Sequence, residues 1–192
     1  ATLGAKSADV TVTVAQTPVA PVAIAGNGQS GPVNQTLANS LQVRVEDRLG
    51  NVMAGRQVTF SVTSGGGSIT TTSANSDAAG LASTTWTLGS STAVLQRVGA
   101  TVAGNATTTF FTANPLAGPA VQMLLAPGNA GDGQTAQFGT AVAIPPSVQL
   151  VDVLGNGVAG ATVTFSVIAG GGSITGASAV TNVNGVASVG SW

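Results

Sequence analysis

The sequence predicts an all-β protein built of tandem β-sandwich domains. Three observations indicate this: a long internal repeat, apolar side chains that alternate with polar ones at a period of two, and clusters of turn-forming residues between the alternating runs. No stretch carries the apolar face of an amphipathic helix. The chain has 192 residues, enough for one large domain or two of ordinary size, and 43% of them are hydrophobic, so a core can be buried.

The internal repeat joins the two halves of the chain. Residues 43–67 align without a gap to residues 148–172, at a constant offset of 105 residues. The match continues to Gly80 and Gly185 and ends, after a one-residue insertion, at a tryptophan in each copy. The residues shared by the two copies form what we call the repeat motif: Asp47, Gly50, Asn51, Gly55, Phe60 and Trp86 in the first copy, and Asp152, Gly155, Asn156, Gly160, Phe165 and Trp192 in the second.

A second match places the domain boundaries. Residues 1–18 resemble residues 100–115, which close the first repeat. We therefore expect residues 1–17 to be the last two strands of a preceding or neighbouring domain, residues 18–114 to be a complete domain, and residues 115–192 to be a domain that lacks its last two strands. Prolines mark the junctions and suit short, stiff links: Pro18, Pro21, Pro115 and Pro119.

The alternating runs predict the strands themselves. Val58, Phe60 and Val62 alternate with polar residues, and Val163, Phe165 and Val167 repeat the pattern. About seven short strands in roughly 100 residues is typical of an immunoglobulin-like sandwich. We expect Phe60 and Phe165 to be equivalent core residues. A similar run near the N-terminus contains Val10, Val12 and Val14. It predicts either an inter-chain strand that completes the last domain of a neighbouring molecule or a strand that is covalently continuous with such a domain in a longer repeat protein.

The motif also carries a family resemblance. The pattern D-x-x-G-N-x-x-x-G-x-x-V-T-F-S-V-x-x-G-G-G-S-I-T, followed by a Gly-[Leu/Val]-Ala-Ser turn and a Trp, resembles bacterial Ig-like repeats of the invasin/intimin type. The resemblance covers nearly the whole chain, once in full and once in part. It implies tandem Ig-like domains of the kind found in surface adhesins, surface-layer proteins, fibres and phage decorations, where such repeats act as spacers, stalks or binding tips.

Composition excludes several classes of function. Only five basic and six acidic residues occur, 6% of the chain, against about 25% in an average protein. So few cations argue against nucleic acid as a partner. Without Cys or His, the common nucleophile–base pairs and thiolate metal sites are missing, so we expect no enzyme activity, no cofactor and no metal centre. No apolar run is long enough for membrane insertion.

Some motif residues allow a second interpretation. Asp47 and Asp152 each precede a Leu-Gly-Asn turn, where an aspartate accepts backbone N–H groups; the alternative is a calcium ligand at a domain junction. Trp86 and Trp192 suit core or sheet-edge packing, the alternative being a platform that stacks on sugars. Residues 26–31 fit G-x-G-x-x-G, but Pro32 follows directly and no helix is predicted, so we interpret them as a loop.

The sequence is compatible with three functions. The first is a non-catalytic, extracellular structural or adhesive protein at the cell surface, in which Ig-like domains follow one another as a rod. The second is the subunit of a polymeric filament or of a virion decoration, assembled head to tail with copies of itself by inter-chain strand complementation. The third is a module that binds a glycan or a protein, for example on a host surface; aromatic residues, at 4% of the chain, are few for such a site.

Overall fold

The computed structural model describes residues 16–192, and these residues form strands and turns without a helix. Residues 1–15, including the predicted inter-chain strand of Val10, Val12 and Val14, lie outside the described residues. The strands run as β1 Val22–Ala25, β2 Gln29–Pro32, β3 Leu41–Arg44, β4 Gln57–Ser64, β5 Ser68–Ile69, β6 Ser73–Asn75, β7 Leu81–Thr84, β8 Trp86–Thr87, β9 Gln96–Val102, β10 Asn105–Leu116, β11 Gln122–Leu125, β12 Ser147–Val151, β13 Thr162–Thr164, β14 Ser178–Val180 and β15 Val186–Ser188.

Strands β1 to β10 form what we call the first sandwich. One sheet has the order β1-β3-β7, the other has the order β2-β10-β9-β4-β6, and β5 pairs with β8 in a short ribbon. All pairs are antiparallel except β2 with β10, which is parallel. Sheet against sheet is the arrangement that lets each sheet bury its apolar face.

The core of the first sandwich lies between these two sheets. In β3 and β4 the buried positions alternate with more exposed ones, as the pleat requires. Phe60 is 1% exposed, and its Cα partner on the adjacent strand β9 is Ala100. The remaining fully buried large side chains are apolar apart from one glutamine: Trp86, Phe111, Leu41, Leu88, Gln96, Val43, Val45, Val58 and Val98.

Strands β11 to β15 repeat part of this arrangement, and we call them the second unit. Its sheets are β11-β12-β15 and β13-β14. Val148 of β12 pairs with Ala187 of β15, just as Val43 of β3 pairs with Ala82 of β7, each at the offset of 105 residues. Its buried cluster is small and centres on Leu150, Val163 and Ala187. Within residues 16–192, no strand pairs with β13 on the edge that β9 occupies beside β4.

The aromatic residues of the motif differ in burial between the copies. Phe60 and Phe165 hold equivalent places, since their amides donate to Thr72 and Ala177, two carbonyls also 105 residues apart. Phe165, however, is only partly buried, so the expectation of two equivalent core residues is wrong for the second copy. Trp192 is likewise 45% exposed, whereas Trp86 is fully buried. The reason is that, within residues 16–192, no strands equivalent to β9 and β10 cover the second unit.

The first sandwich extends past the expected boundary at residue 114. Strand β10 continues through Leu116, and Pro115 and Leu116 pair with Gly31 and Pro32 of β2. The amide of Val33 donates to the carbonyl of Leu116 at 2.8 Å. Pairing with β9 has already ended at Ala113, so the missing N–H of Pro115 breaks no ladder bond on that side. The proline therefore lies inside the last strand and not in the link.

Candidate functional site

The turn at Asp47–Asn51 is built around one carboxylate. Asp47 Oδ1 accepts the amide N–H groups of Leu49 and Asn51, each at 2.9 Å, and Oδ2 accepts Asn51 Nδ2 at 3.0 Å. Gly50 has a φ of 83°, a left-handed conformation that favours glycine. Aspartate organises a turn in this way because its short side chain reaches the backbone two residues on. The motif D-x-x-G-N thus specifies one local structure.

The second copy repeats this turn bond for bond. Asp152 Oδ1 accepts the amides of Leu154 and Asn156 at 2.9 Å, and Oδ2 accepts Asn156 Nδ2 at 3.1 Å. Gly155 has a φ of 82°. The backbone bonds between the first and last residues of the turn are present in both copies. The structure therefore gives Asp47 and Asp152 the role of turn organisers.

Each turn also holds the segment that leads into its own half of the chain. Asp152 Oδ2 accepts the amide of Gly118 at 2.9 Å, and Asp47 Oδ2 accepts Gln16 Nε2 at 3.2 Å. Backbone bonds run beside these contacts, from Val19 to Glu46 and from Val121 to Val151. Each aspartate therefore joins the incoming chain to the turn.

Hydrogen bonding sets the charge state of both carboxylates. The side chain of Asn51, followed by its backbone amide, lowers the pKa of Asp47 below its ordinary value. Burial raises the pKa of Asp152, but hydrogen bonds from Gly118, Asn156 and Leu154 outweigh this, and the pKa of Asp152 is also lowered. Both groups are therefore ionised at neutral pH and act as acceptors.

Asn156 extends the second turn to the first sandwich. Its Nδ2 donates to the carbonyl of Ser90 at 2.9 Å, and its Oδ1 accepts the amide of Thr92 at 3.1 Å. Ser90 and Thr92 lie in the loop between β8 and β9. Asn51 is exposed, and among the described residues its side chain contacts only Asp47 through hydrogen bonds. The two asparagines share a motif position and differ in their partners.

Gly55 and Gly160 belong to a further matched pair of turns. Their φ angles are 69° and 77°, and their amides donate to Ser76 and Thr181. The hydroxyl of Ser76 in turn donates to Met53 at 2.6 Å and accepts the amide of Arg56. Thr181 makes the same two bonds with Val158 and Ala161. Sequence reasoning missed these hydroxyl residues; the offset of 105 residues between them was the available signal.

A third pair of turns carries Gly80 and Gly185. Asp77 Oδ1 accepts the amides of Ala79 and Leu81, and Asn182 Oδ1 accepts those of Asn184 and Val186. Sequence reasoning predicted these turns from Asp77–Gly80 and from residues 183–185, but it gave no role to the side-chain oxygens of Asp77 and Asn182. An Asp in one copy and an Asn in the other is the expected signature of a side-chain oxygen that must accept from the backbone.

The polar motif residues are therefore occupied with backbone groups. Asp152 alone accepts four hydrogen bonds, which leaves little capacity for a cation. Among residues 16–192, no group of three or more His, Cys, Asp or Glu side chains lies close enough together to hold a metal ion. Residues 26–31 form a turn followed by strand β2, and no helix opens there. The described part of the chain contains no helix long and apolar enough to span a membrane.

Comparisons with known proteins give one family match and several similar solved structures. Residues 27–114 match the family described as bacterial Ig-like domain (group 1). Among solved structures, InvD of Yersinia pseudotuberculosis is 22% identical with a TM-score of 0.49, over 92% of this chain and 48% of that one. The D0-D1 domain of intimin is 17% identical with a TM-score of 0.43, over 90% and 81% of the two chains.

Invasin, titled a bacterial integrin-binding protein, is 22% identical with a TM-score of 0.39, over 92% of this chain and 33% of that one. The chain thus spans half or less of InvD and invasin, and 43% of the D00-D0 domain of intimin. No curated protein sequence matches it. The all-β structure and the family match over residues 27–114 together show an immunoglobulin-like fold in a chain similar to the bacterial Ig-like domain family, group 1.

Proposed function

We propose that this chain is a non-catalytic structural or adhesive segment of a bacterial cell-surface protein, in which Ig-like domains follow one another as a rod. One observation carries the proposal: the polar residues that recur in the two copies are used to hold backbone turns and the incoming chain. Asp152, for example, directs its carboxylate to Gly118, Leu154 and Asn156. Side chains used in this way build a scaffold and are not available to transform a substrate.

The domain division that we propose is supported by the sheets. Residues 18–116 form one Ig-like domain, since Pro18 bridges to Asp47 and β10 ends at Leu116. Residues 117–192 contribute five strands, β11 to β15, to the next domain. Residues 1–17 carry the sequence of the last two strands of a domain of this kind. The link between the two described units is short, which favours an end-to-end order.

Location at the cell surface is supported by the class of protein in which similar folds occur. Invasin is titled an integrin-binding protein and InvE an adhesin, and both are similar to this chain in fold. The surface of this chain is poor in charge and rich in Thr, Ser and Asn, a composition that suits secreted β-proteins. A virion location has no support from these two proteins.

Binding assays distinguish a spacer from an adhesive tip. The 192-residue chain is immobilised and tested against a glycan array and against cultured mammalian cells, with albumin as the control surface. A spacer gives no saturable binding above the control. Saturable binding that is lost on competition with a defined glycan or receptor would refute the spacer role and identify the chain as a binding module.

A second candidate function is a filament assembled by strand complementation. The observation that favours it is the edge of β13, which lacks a partner within the described residues where β4 has β9. A cavity of about 260 Å³ lies nearby, lined by apolar residues that include Phe165, Val189 and Trp192. An unpaired edge beside exposed apolar surface is a template for an added strand. The occupant that we propose is the 1–17 segment of a second copy, because its sequence resembles residues 100–115, which cover Phe60 in the first sandwich.

A synthetic peptide of residues 1–17 tests this second candidate. Trp192 is 45% exposed at the cavity, so its fluorescence should shift to the blue as the peptide binds. A peptide with Val12→Pro, which removes a backbone donor from the centre of the strand, is the matched control. Saturable binding of the first peptide alone supports complementation. Absence of a shift, together with a concentration-independent mass in sedimentation, refutes it.

A further inference from the structure

The two copies of the motif differ in one respect that the turn itself does not explain. Asn51 and Asn156 make the same bonds to their own aspartates, yet Asn156 is partly buried and Asn51 is exposed. Leu154, within the second turn, is also less exposed than its counterpart Leu49, at 46% against 86%. The second turn therefore lies against something that the first turn does not contact within residues 16–192.

That neighbour is the loop between β8 and β9 of the first sandwich. The side chain of Asn156 is saturated there: Nδ2 donates to Ser90 and to Asp152, while Oδ1 accepts from the amide of Thr92 and lies 3.5 Å from its hydroxyl. A primary amide has two N–H donors and one carbonyl acceptor, and all of these are used. Because Ser90 and Thr92 are contacted through the backbone, the amide recognises the path of the loop and not its side chains, apart from the Thr92 hydroxyl.

The β8–β9 loop, to which Asn156 binds, is held in place by a buried side chain of the first sandwich. Gln96 is completely buried, its Oε1 accepts the amide of Gly89 at 2.6 Å, and its Nε2 lies 3.4 Å from the carbonyls of Gly89 and Ser91. A buried side-chain amide that spans a loop in this way holds it in one conformation. The loop that Asn156 contacts is thus anchored in the core of the first sandwich.

Apolar packing is incomplete at the same junction. Beside Asn156 lies an open groove of about 740 Å³, whose walls include Thr92, Leu116 and Val158. A well-packed apolar interface would leave no such space. At this groove, directional hydrogen bonds from Asn156 join the two units where apolar packing does not.

On the basis of the rod function proposed above, we propose that Asn156 is the residue that sets the orientation between consecutive Ig-like units, by binding the backbone of the β8–β9 loop of the preceding unit. Asp152 supports it by holding both Asn156 and the linker residue Gly118. The joint is then a three-way connection between turn, linker and preceding sandwich. Asn156 is a positioning residue, and the partner that it recognises is a loop backbone that offers a carbonyl and an amide two residues apart.

Amide exchange at Thr92 tests this directly, with Asn51 as the matched control. Asn156→Ala removes the acceptor of the Thr92 amide, so its exchange should accelerate at least tenfold. Residual dipolar couplings should show one common alignment for both units in the wild type and two in the variant. Asn51→Ala removes the equivalent bond to Asp47 without touching the joint, so both readouts should stay at their wild-type values.

A second variant covers the case in which Asn156→Ala disturbs the second unit itself. Asn156→Asp keeps the size of the side chain but loses the N–H donors to Ser90 and Asp152, and unchanged amide shifts of Val163 and Ala187 verify that the unit is folded. Two alignments are expected for this variant as well. A single alignment retained in both Asn156 variants, or equal acceleration at Thr92 in Asn51→Ala, overturns the proposal. If the wild-type chain is elongated but its two units align independently, the role of Asn156 in orienting the units is refuted, and the proposed rod function is not contradicted.

Discussion

Truncation of the motif phenylalanine tests how strongly the two units depend on the strands that cover it. Phe60 is 1% exposed between the sheets of the first sandwich, so Phe60→Ala removes a buried ring and leaves a cavity. Such changes cost about 3 to 5 kcal/mol. Phe165 holds the same position but is only partly buried. Solvent can enter its site, so Phe165→Ala loses part of the transfer free energy without a sealed cavity, about 1 to 2 kcal/mol.

Each unit contains one tryptophan, which makes the two free energies of unfolding separately measurable. Guanidinium unfolding of Phe60→Ala is followed by Trp86 fluorescence in a Trp192→Phe background. The unfolding of Phe165→Ala is followed by Trp192 in a Trp86→Phe background. The reasoning fails if Phe60→Ala costs less than about 1 kcal/mol, or if the two truncations cost the same, because the difference in burial would then have no energetic consequence.

The remaining predictions concern the turns, the core tryptophan and pH. Gly80→Ala should cost about 3 kcal/mol or more in denaturant melts, because a Cβ there lies 2.8 Å from the carbonyl of Val45 at a φ of 73°. Gly50→Ala, at a φ of 83° with open space around it, should cost only about 1 kcal/mol, and equal losses would contradict the steric argument. Trp86→Phe should cost about 1 to 2 kcal/mol for the lost part of a fully buried ring, well below the about 3 to 5 kcal/mol of Trp86→Ala, because Trp86 Nε1 has no hydrogen-bond partner among the described residues to lose; equal losses would contradict this reasoning. The pKa of Asp152 is lowered in the folded state, so its contribution to stability is present above the unfolded pKa of about 3.9 and is lost as pH falls through the folded value. The melting temperature of Asp152→Asn should therefore fall less steeply than that of wild type between pH 4 and pH 2, and parallel curves would count against the role of the carboxylate.

Local features of this fold are readable from the sequence because they depend on residues close together in the chain. The alternation around Phe60 predicts a strand with one buried face, and D-x-x-G-N predicts an aspartate that accepts backbone amides. Both appear in the structure at the stated residues. The offset of 105 residues predicts equivalent backbone partners, and Phe60 and Phe165 have them.

The features that the sequence did not predict depend on distant residues. Asn51 and Asn156 are indistinguishable as motif positions, and only the loop at Ser90–Thr92, more than 60 residues away from Asn156, separates their roles. Strand β10 runs through Pro115 because β2 lies alongside it, which no local pattern indicates. The burial of Phe165 depends on which strands cover it, not on its neighbours in sequence. In each of these cases, the burial or the hydrogen-bond partner of the residue depends on where it lies in the assembled sheets.

The measurement that tests the structural role most directly is small-angle X-ray scattering of the 192-residue chain at low concentration. A single compact globule of this length has a radius of gyration of about 16 Å. Two Ig-like units that follow one another end to end should give a value above about 20 Å and a pair-distance distribution with an extended tail. A radius of gyration near 16 Å with a symmetric distribution would show that the two units fold against each other, and would contradict the proposed rod.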